Sequence, residues 1–239
     1  MKFIRRLLLL ILVIILIVGS VLYLNGNKLY KEKIEETSIE DKVSSVREDS
    51  NFVKLSSLPS YYKDAVVSVE DRRFYSHGTI DFIALARATF SNIKQKDFKE
   101  GGSTITQQTA KNLYLMEEKD VSNRKVSEFL IGRDLEKKYN KDEILELYVN
   151  TIYFGDGYYG IQEASKGYFN KDAKDLTLYE ATMLAGVPNA PSLYAPTANF
   201  HLTKSRQKKV VSSMVEAGTL SQEEANKLYT QIDSSTYSK

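Results

Sequence analysis

The sequence contains no cysteine and only two histidines, His77 and His201. Without cysteine the chain has neither a disulfide framework nor a thiolate zinc site. Two histidines are too few for a metal centre built from imidazoles, although carboxylates could still hold a divalent cation. An excess of one charge is also missing: three of the 33 Lys and Arg precede residue 7, and the other 30 stand against 31 Asp and Glu. The lack of a basic footprint argues against nucleic acid as a partner.

Charge is also absent from residues 7–24, which read LLLLILVIILIVGSVLYL. A helix of this length would span roughly 27 Å, close to the thickness of the bilayer core. Basic residues precede the run, so the positive-inside rule predicts a cytoplasmic N-terminus and an extracellular domain at the cell membrane. A cleaved signal peptide is the alternative, because Val18–Ser20 resembles a cleavage site. The run continues to Leu24, beyond the usual signal core, which favours a retained single-pass anchor.

The rest of the chain reads as mainly α. We interpret residues 1–25 as cytoplasmic tip and anchor, the charge-rich residues 26–58 as a juxtamembrane spacer, and residues 59–239 as the domain. Apolar residues at helical spacing predict an amphipathic helix: Phe82, Leu85, Ala86, Thr89, Phe90 and Ile93. Capping boxes predict helix starts at Asn140 with Glu143, Thr177 with Glu180, and Ser221 with Glu224. Gly218 predicts a helix end, and Thr151–Phe154 is the best strand candidate.

The first segment that could carry chemistry is VVSVEDRRFYSH, residues 66–77. An apolar lead-in ends at two adjacent carboxylates, Glu70 and Asp71. A carboxylate against an apolar surface has a raised pKa, which makes a glutamate a useful proton acceptor. The alternative is a solvated acidic pair neutralised by Arg72 and Arg73.

The second segment is GGSTITQQTAKN, residues 101–112. Gly101–Gly102 permits a tight loop, and Ser103 can cap the helix that follows. One polar face of that helix, with its neighbours, carries Ser103, Gln107, Lys111, Gln108 and Asn112. Hydroxyl and amide groups can bond to sugar hydroxyls, and a lysine can hold a phosphate. No Gly-Lys-Ser/Thr follows the glycines, so this is not a Walker loop. A solvated helix face is the alternative.

The third segment is RKVSEFLIGRDLEKKY, residues 124–139, where Glu128 lies among apolar residues. Arg124 precedes it by four positions and Lys125 by three, so both cations can reach its carboxylate. A surface salt bridge would have the same spacing. Spacing alone does not distinguish the two.

Two further segments are less specific. Residues 141–171 are dense in aromatic residues that could stack on sugar rings or fill the core: Tyr148, Tyr153, Phe154, Tyr158, Tyr159, Tyr168 and Phe169. Residues 180–196, EATMLAGVPNAPSLYAP, read as a helix that ends in a loop with prolines.

The order of these segments resembles the five motifs of the peptidoglycan glycosyltransferase family. This is the lysozyme-like domain of bifunctional penicillin-binding proteins and of monofunctional transglycosylases, and the resemblance covers residues 66–196. It differs from the usual pattern at two places: Gly78-Thr79 stands where His-Gly is usual, and Gly132 stands where alanine is usual. Neither difference replaces a charged group.

The resemblance implies a lysozyme-like fold and the polymerisation of lipid II. The growing strand is held by undecaprenyl pyrophosphate, and the 4-hydroxyl of lipid II attacks it. Glu70 corresponds to the general base, and Glu128 to a second glutamate that positions the acceptor or assists departure of the pyrophosphate. Lys111, Arg124 and Lys125 would counter the charge of the diphosphate. The further substrate-binding candidates are Ser103, Gln107, Gln108, Asp71, Phe74, His77 and Asn112. The resemblance also implies membrane, lipid II, the growing strand and other cell-wall synthesis proteins as partners.

Two alternatives stay open. A lysozyme-like hydrolase would also use carboxylates, but it needs a protonated acid for a poor leaving group, so the cations favour pyrophosphate. A non-catalytic wall-binding scaffold is the second. For a transpeptidase, the Ser-x-x-Lys matches at Ser91/Lys94 and Ser205/Lys208 lack a Lys-Thr-Gly, and about 43 residues follow Pro196, so we expect no such domain.

Overall fold

The computed structural model describes residues 2–95 and 102–237, and the side chains of residues 3–88 and 102–237. Over these ranges the chain is helical and contains no strand. The α-helices are α1 (Lys2–Glu36), α2 (Ile39–Arg47), α3 (Ser60–Glu70), α4 (Phe82–Gln95), α5 (Ile105–Tyr114), α6 (Val121–Lys138), α7 (Lys141–Thr151), α8 (Ile161–Phe169), α9 (Leu178–Gly186), α10 (Pro191–Tyr194), α11 (Phe200–Ala217) and α12 (Gln222–Ser234). Gly101 and the side chains of Thr89, Phe90, Ser91, Ile93 and Lys94 lie outside the described residues.

The predicted local signals are confirmed at the helix ends. Capping boxes form at Asn140, Thr177 and Ser221, each with the glutamate three residues later. Gly218 ends α11 in the left-handed conformation, at φ 75°. The strand prediction is wrong, because Thr151 ends α7 and an isolated antiparallel bridge joins Tyr153 to Tyr159.

Helix α1 contains the apolar run and continues beyond it. It is long and apolar enough to cross a membrane, and its apolar window is not buried by the rest of the chain. This fits a single-pass membrane anchor. The last turns of α1 pack along α6, where the buried Gly26 lies against Val126.

The segment that we interpreted as a spacer is part of the folded domain. Ile39 and Val43 of α2, and Leu55 and Leu58 in the connection to α3, are buried in the main hydrophobic core. Three charged residues separate Ile39 from Val43, so the average composition of residues 26–58 hid a buried helix face.

The core has two helical groups. Helices α3, α9 and α11 pack against one another, and α5 packs between α6 and α7. The largest fully buried side chains include Tyr62, Phe74, Ile105, Tyr148 and Phe154. Helix α3 ends at Glu70, so this residue lies where the first group meets α5.

The two differences from the usual motif pattern meet in space. A Cβ at Gly132 would lie 2.7 Å from Cγ2 of Thr79 and 3.2 Å from Cγ2 of Thr106. Thr79 donates its hydroxyl to Oε2 of Glu136 at 3.0 Å, and its methyl fills the space beside Gly132. The larger residue in one motif therefore offsets the smaller residue in the other.

We predict that Gly132→Ala lowers the free energy of unfolding by about 1 kcal/mol, because overpacking outweighs the better helix propensity of alanine. Thr79→Ser keeps the hydroxyl and removes the methyl, so the double variant should recover that loss. Denaturant unfolding of the four proteins in detergent gives the coupling energy. Additive effects of the two substitutions would contradict this interpretation.

Candidate active site

The site is built around Glu70, the last residue of α3. Its side chain is 9% exposed, and Oε1 lies 3.3 Å from Nη2 of Arg206. The side-chain amide of Gln108 donates to Oε2 at 3.1 Å. Burial raises the pKa of Glu70, while Arg206 and the Gln108 hydrogen bond oppose that shift. A carboxylate of this kind can accept a proton at near-neutral pH.

Arg206 is a site residue that sequence reasoning missed. It lies on α11, and its Nε donates to the carbonyl of Gly186 at 3.2 Å while its guanidinium lies over the Tyr194 ring. Both partners belong to the fifth segment of the sequence. This segment therefore holds the cation that faces Glu70, across a sequence separation of 136 residues.

Asp71 and His77 have a positioning role. Asp71 is buried, and its Oδ2 accepts a hydrogen bond from the backbone N–H of Ile105 at 3.0 Å. Its Oδ1 lies 2.7 Å from Nε2 of His77. The end of α3 is thereby attached to the start of α5. Burial raises the pKa of Asp71, and the His77 contact opposes that shift.

The same residues, with Asp81, bring metal-ligand atoms within 4.8 Å of one another. The donors are already in use. Burial acts to raise the pKa of Asp81, but the pairing with Arg73 and the N–H of Ala84 hold that pKa at about 2, and Asp71 accepts from the start of α5. The arrangement explains the packing of the first motif, and we assign no divalent cation to it.

Helix α5 carries most of the polar residues of the second segment. Thr104, and not Ser103, is its cap, and Gln107 completes a capping box with Thr104. Ser103 instead accepts a hydrogen bond from Nζ of Lys125 at 2.9 Å. One turn beyond the cap, Gln108 contacts Glu70, as described above.

The second carboxylate, Glu128, is buried among cations at the start of α6. It is 1% exposed, with Oε2 2.6 Å from Nζ of Lys125 and Oε1 3.2 Å from Nε of Arg124. The Arg124 contact is poorly aligned, so within the described residues neither Nε of Arg124 nor Oε1 of Glu128 has a hydrogen-bond partner. Glu128 therefore holds Arg124 and Lys125 in place, while its own Oε1 and Nε of Arg124 lack a hydrogen-bond partner among the described residues.

Lys111 completes the cation cluster. It is half-buried on α5, close enough to Arg124, Lys125 and Glu128 for their charges to act on it. Burial lowers the pKa of Lys111, Arg124 and Lys125 lower it further, and Glu128 opposes them. An anion in the cluster would relieve the repulsion among these cations.

Two predicted site residues lie elsewhere. Phe74 is fully buried, with Nζ of Lys141 4.5 Å from its ring centroid, so it belongs to the core. Asn112 lines a groove of about 310 Å³ between α2, α5, α7 and α8, and none of Glu70, Lys111 or Arg124 lines that groove.

The aromatic residues of the fourth segment are mostly structural. Tyr148, Phe154 and Tyr168 are buried in the core, whereas the Tyr159 ring is exposed and lines the same groove as Asn112. The sugar-stacking interpretation therefore applies to few of them.

The complete arrangement is a buried carboxylate and a cation cluster beside adjacent turns of α5. Gln108 contacts Glu70, and Lys111 follows three residues later, about 4.5 Å along the helix axis. A substrate group that loses its proton to Glu70 and a substrate group that gains negative charge beside Lys111 would therefore face adjacent turns of α5.

A family model described as Transglycosylase matches residues 35–215 of the chain. Penicillin-binding protein 4 of Bacillus subtilis is 42% identical over 194 residues, which cover 81% of this chain and 31% of that protein. Penicillin-binding protein 1A of Neisseria lactamica is 47% identical over 165 residues, covering 69% and 21%. The chain thus spans less than a third of the length of these curated relatives.

A crystal structure of penicillin-binding protein 1A from Haemophilus influenzae is 37% identical, with a TM-score of 0.39, covering 42% of this chain and 15% of that one.

We predict that Arg206→Gln raises the pKa of Glu70 further, because the nearest cation is removed from a buried carboxylate. The pKa can be measured by ¹³C NMR titration of the side-chain carboxyl, assigned with a Glu70→Gln sample. Arg72→Gln is the matched control, since Arg72 pairs with Glu216 on the surface. An unchanged pKa in the Arg206 variant would show that the pair does not act on Glu70.

Proposed function

Because this chain belongs to the transglycosylase family, we propose that it is a peptidoglycan glycosyltransferase that polymerises lipid II into glycan strands. The observation that carries the proposal is that Gln108, which contacts Glu70, and Lys111, which belongs to the Lys111–Arg124–Lys125 cluster, lie on adjacent turns of α5. Lipid II and the lipid-linked strand are its substrates in this proposal.

In the proposed reaction, the 4-hydroxyl oxygen of lipid II attacks the anomeric carbon of the growing strand. The new glycosidic C–O bond forms as the bond between that carbon and the pyrophosphate oxygen breaks. The proton of the hydroxyl passes to Glu70, and undecaprenyl pyrophosphate leaves with the bonding electron pair. Diphosphate is a good leaving group, so cations suffice on its side.

The buried environment of each charged group supports its role. Burial against Arg206 and Gln108 leaves Glu70 ionisable with a raised pKa, which suits a base. Glu128 is enclosed by Arg124 and Lys125, so we assign it the positioning of these cations rather than proton donation. Lys111, Arg124 and Lys125 would contact the diphosphate directly.

The membrane anchor fits a lipid-linked substrate. A helix that spans the bilayer confines the domain to the surface where undecaprenyl chains are inserted. We propose that the N-terminus is cytoplasmic and the domain extracellular, because the basic residues Lys2, Arg5 and Arg6 precede the apolar run.

We predict that Glu70→Gln lowers the rate of lipid II polymerisation by about 10²-fold or more, as expected for loss of a general base. The folded pKa of Glu70 is raised, so ionisation of Glu70 destabilises the fold as pH rises toward neutral; the neutral glutamine lacks this effect. The variant should therefore stay folded at neutral pH. Product sizing on gels and circular dichroism test both points.

Glu216→Gln, on the surface, is the control and should polymerise normally. Normal polymerisation by Glu70→Gln would reject the proposed base. A wild-type protein that shortens finished strands and does not extend lipid II would reject the function in favour of hydrolysis.

We predict that Lys111→Met abolishes most turnover, whereas Lys111→Arg keeps part of it and extends activity to higher pH. Burial lowers the pKa of Lys111, so the wild type loses this charge, and with it activity, at lower pH than an ordinary lysine would. Arginine stays protonated. The pH–rate profile of polymerisation, with the exposed Lys227→Met as control, measures the alkaline limb. An alkaline limb at the same pH in the arginine variant would contradict this role.

A further inference from the structure

The anchor helix α1 is in direct contact with α6, the helix that carries Arg124 and Lys125 of the cation cluster. Helix α1 runs without a break from Lys2 to Glu36, so the apolar run and the packed turns belong to one helix. The chain thus passes from the apolar run into the domain without the flexible linker that a simple tether would have.

Gly26 is the point of closest approach. A Cβ at this position would lie 2.4 Å from Cβ of Val126 and 3.0 Å from the carbonyl oxygen of Asn123, so even alanine cannot be accommodated without a shift of one helix. The hydroxyl of Ser127 donates to the Gly26 carbonyl at 2.7 Å. The backbones of α1 and α6 can therefore approach this closely only because residue 26 is glycine, which has no Cβ.

A second contact fixes the direction of packing. Tyr30, one turn after Gly26, donates its hydroxyl to Oδ2 of Asp134 at 2.5 Å. Residue numbers increase together along both helices, so α1 and α6 run parallel. The apolar part of α1 then extends past the N-terminal end of α6, so this end of α6 is the one nearest the apolar run.

The position of Gly26 places the cation cluster close to the membrane surface. Leu24, the last residue of the apolar run, precedes Gly26 by two positions, a rise of about 3 Å. Gly26 lies beside Asn123, the residue directly before Arg124 and Lys125. These cations are therefore held near the depth of the lipid headgroups, where the pyrophosphate of a membrane-inserted lipid also lies. Val121, at the start of α6, is an exposed apolar residue at this end.

We infer that Gly26 is a positioning residue that sets the height and orientation of the Arg124–Lys125 end of α6 relative to the bilayer. It acts through α6, so that the cations meet a lipid pyrophosphate that stays in the membrane. This inference rests on the proposed function for its catalytic consequence. The depth itself does not depend on catalysis.

The chain offers a matched control for this role. A Cβ at Gly19, in the apolar part of the same helix, would have no atom within 4 Å. Alanine favours a helix at both positions. A difference between Gly26→Ala and Gly19→Ala therefore reports the contact with α6 and not helix propensity.

The first test measures depth. Because the chain has no cysteine, Val121→Cys gives a single labelling site. In proteoliposomes, a fluorophore at this site should be quenched by headgroup-labelled lipids in the parent and in Gly19→Ala, and less in Gly26→Ala. The same quenching in both glycine variants would overturn the inference.

The second test compares two substrates. Gly26→Ala should lose about tenfold or more in polymerisation of lipid II embedded in vesicles, because misplacement of about 1 Å can cost this much. With a short-tailed, water-soluble lipid II analogue, its rate should match that of Gly19→Ala. Equal losses on both substrates would overturn the positioning role, since a damaged site would act on both.

A compensating exchange keeps the test independent of folding defects. Gly26→Ala combined with Val126→Gly removes the side-chain atoms that lie closest and leaves only the Asn123 carbonyl oxygen at 3.0 Å, so it should restore part of the depth signal and of the rate on vesicles. Failure to restore either one would count against the inference. If the wild type polymerises neither substrate, the proposed function fails, while the quenching result still decides the position of α6.

Discussion

The packing of α5 beside two different charged groups is the constraint on which the candidate site depends: Gln108 contacts Glu70, and Lys111 lies in the cation cluster. A direct ion pair between Glu70 and Lys111 would occupy both the proposed base and the proposed phosphate-binding cation. Each instead has a different charged neighbour: Arg206 faces Glu70, and Glu128 lies near Lys111. The hydrogen bond from Ile105 to Asp71 joins the end of α3 to the start of α5, which holds Glu70 beside Gln108.

This arrangement is costly for the folded state. A nearly buried carboxylate at Glu70 and a fully buried one at Glu128 lose their hydration, and nearby cations only partly offset that loss. The raised pKa of Glu70 and the lowered pKa of Lys111 express the same cost, because each shift disfavours the charged form. Hydrophobic packing elsewhere, with fully buried residues on α5 and α7, holds these groups together. Buried charged groups with shifted pKa values are typical of sites that are arranged for chemistry.

Local hydrogen bonds explain what the sequence could predict. A capping box joins residues three positions apart, so the helix starts at Asn140, Thr177 and Ser221 follow from spacing alone. The ion pairs of Glu128 with Arg124 and Lys125 are also local, because they join residues four and three positions apart on one helix. Arg206 carries no such signal, because its contact with Glu70 arises from the packing of α11 on α3.

The remaining differences follow from tertiary packing as well. Phe74 and Asn112 stand in motifs that carry site residues, but the side-chain direction on a short turn or helix decides whether a residue faces the cleft, the core or another groove. Motif membership therefore predicted the neighbourhood of these residues and not their contacts. The same reason explains the misread segment 26–58, whose apolar residues acquire meaning only when α2 packs on the domain.

The contact between Thr79 and Gly132 separates what this fold can vary from what it cannot. Both positions depart from the usual family pattern, and they share one small volume between the first motif and α6. Close packing couples such residues, because a methyl group gained on one side must be lost on the other. The charged groups have no comparable freedom: a cation moved by 1 Å no longer meets the same phosphate oxygen. Volume can therefore be exchanged between motifs of this domain, whereas the positions of Glu70, Lys111 and Arg124 follow from the chemistry they would perform.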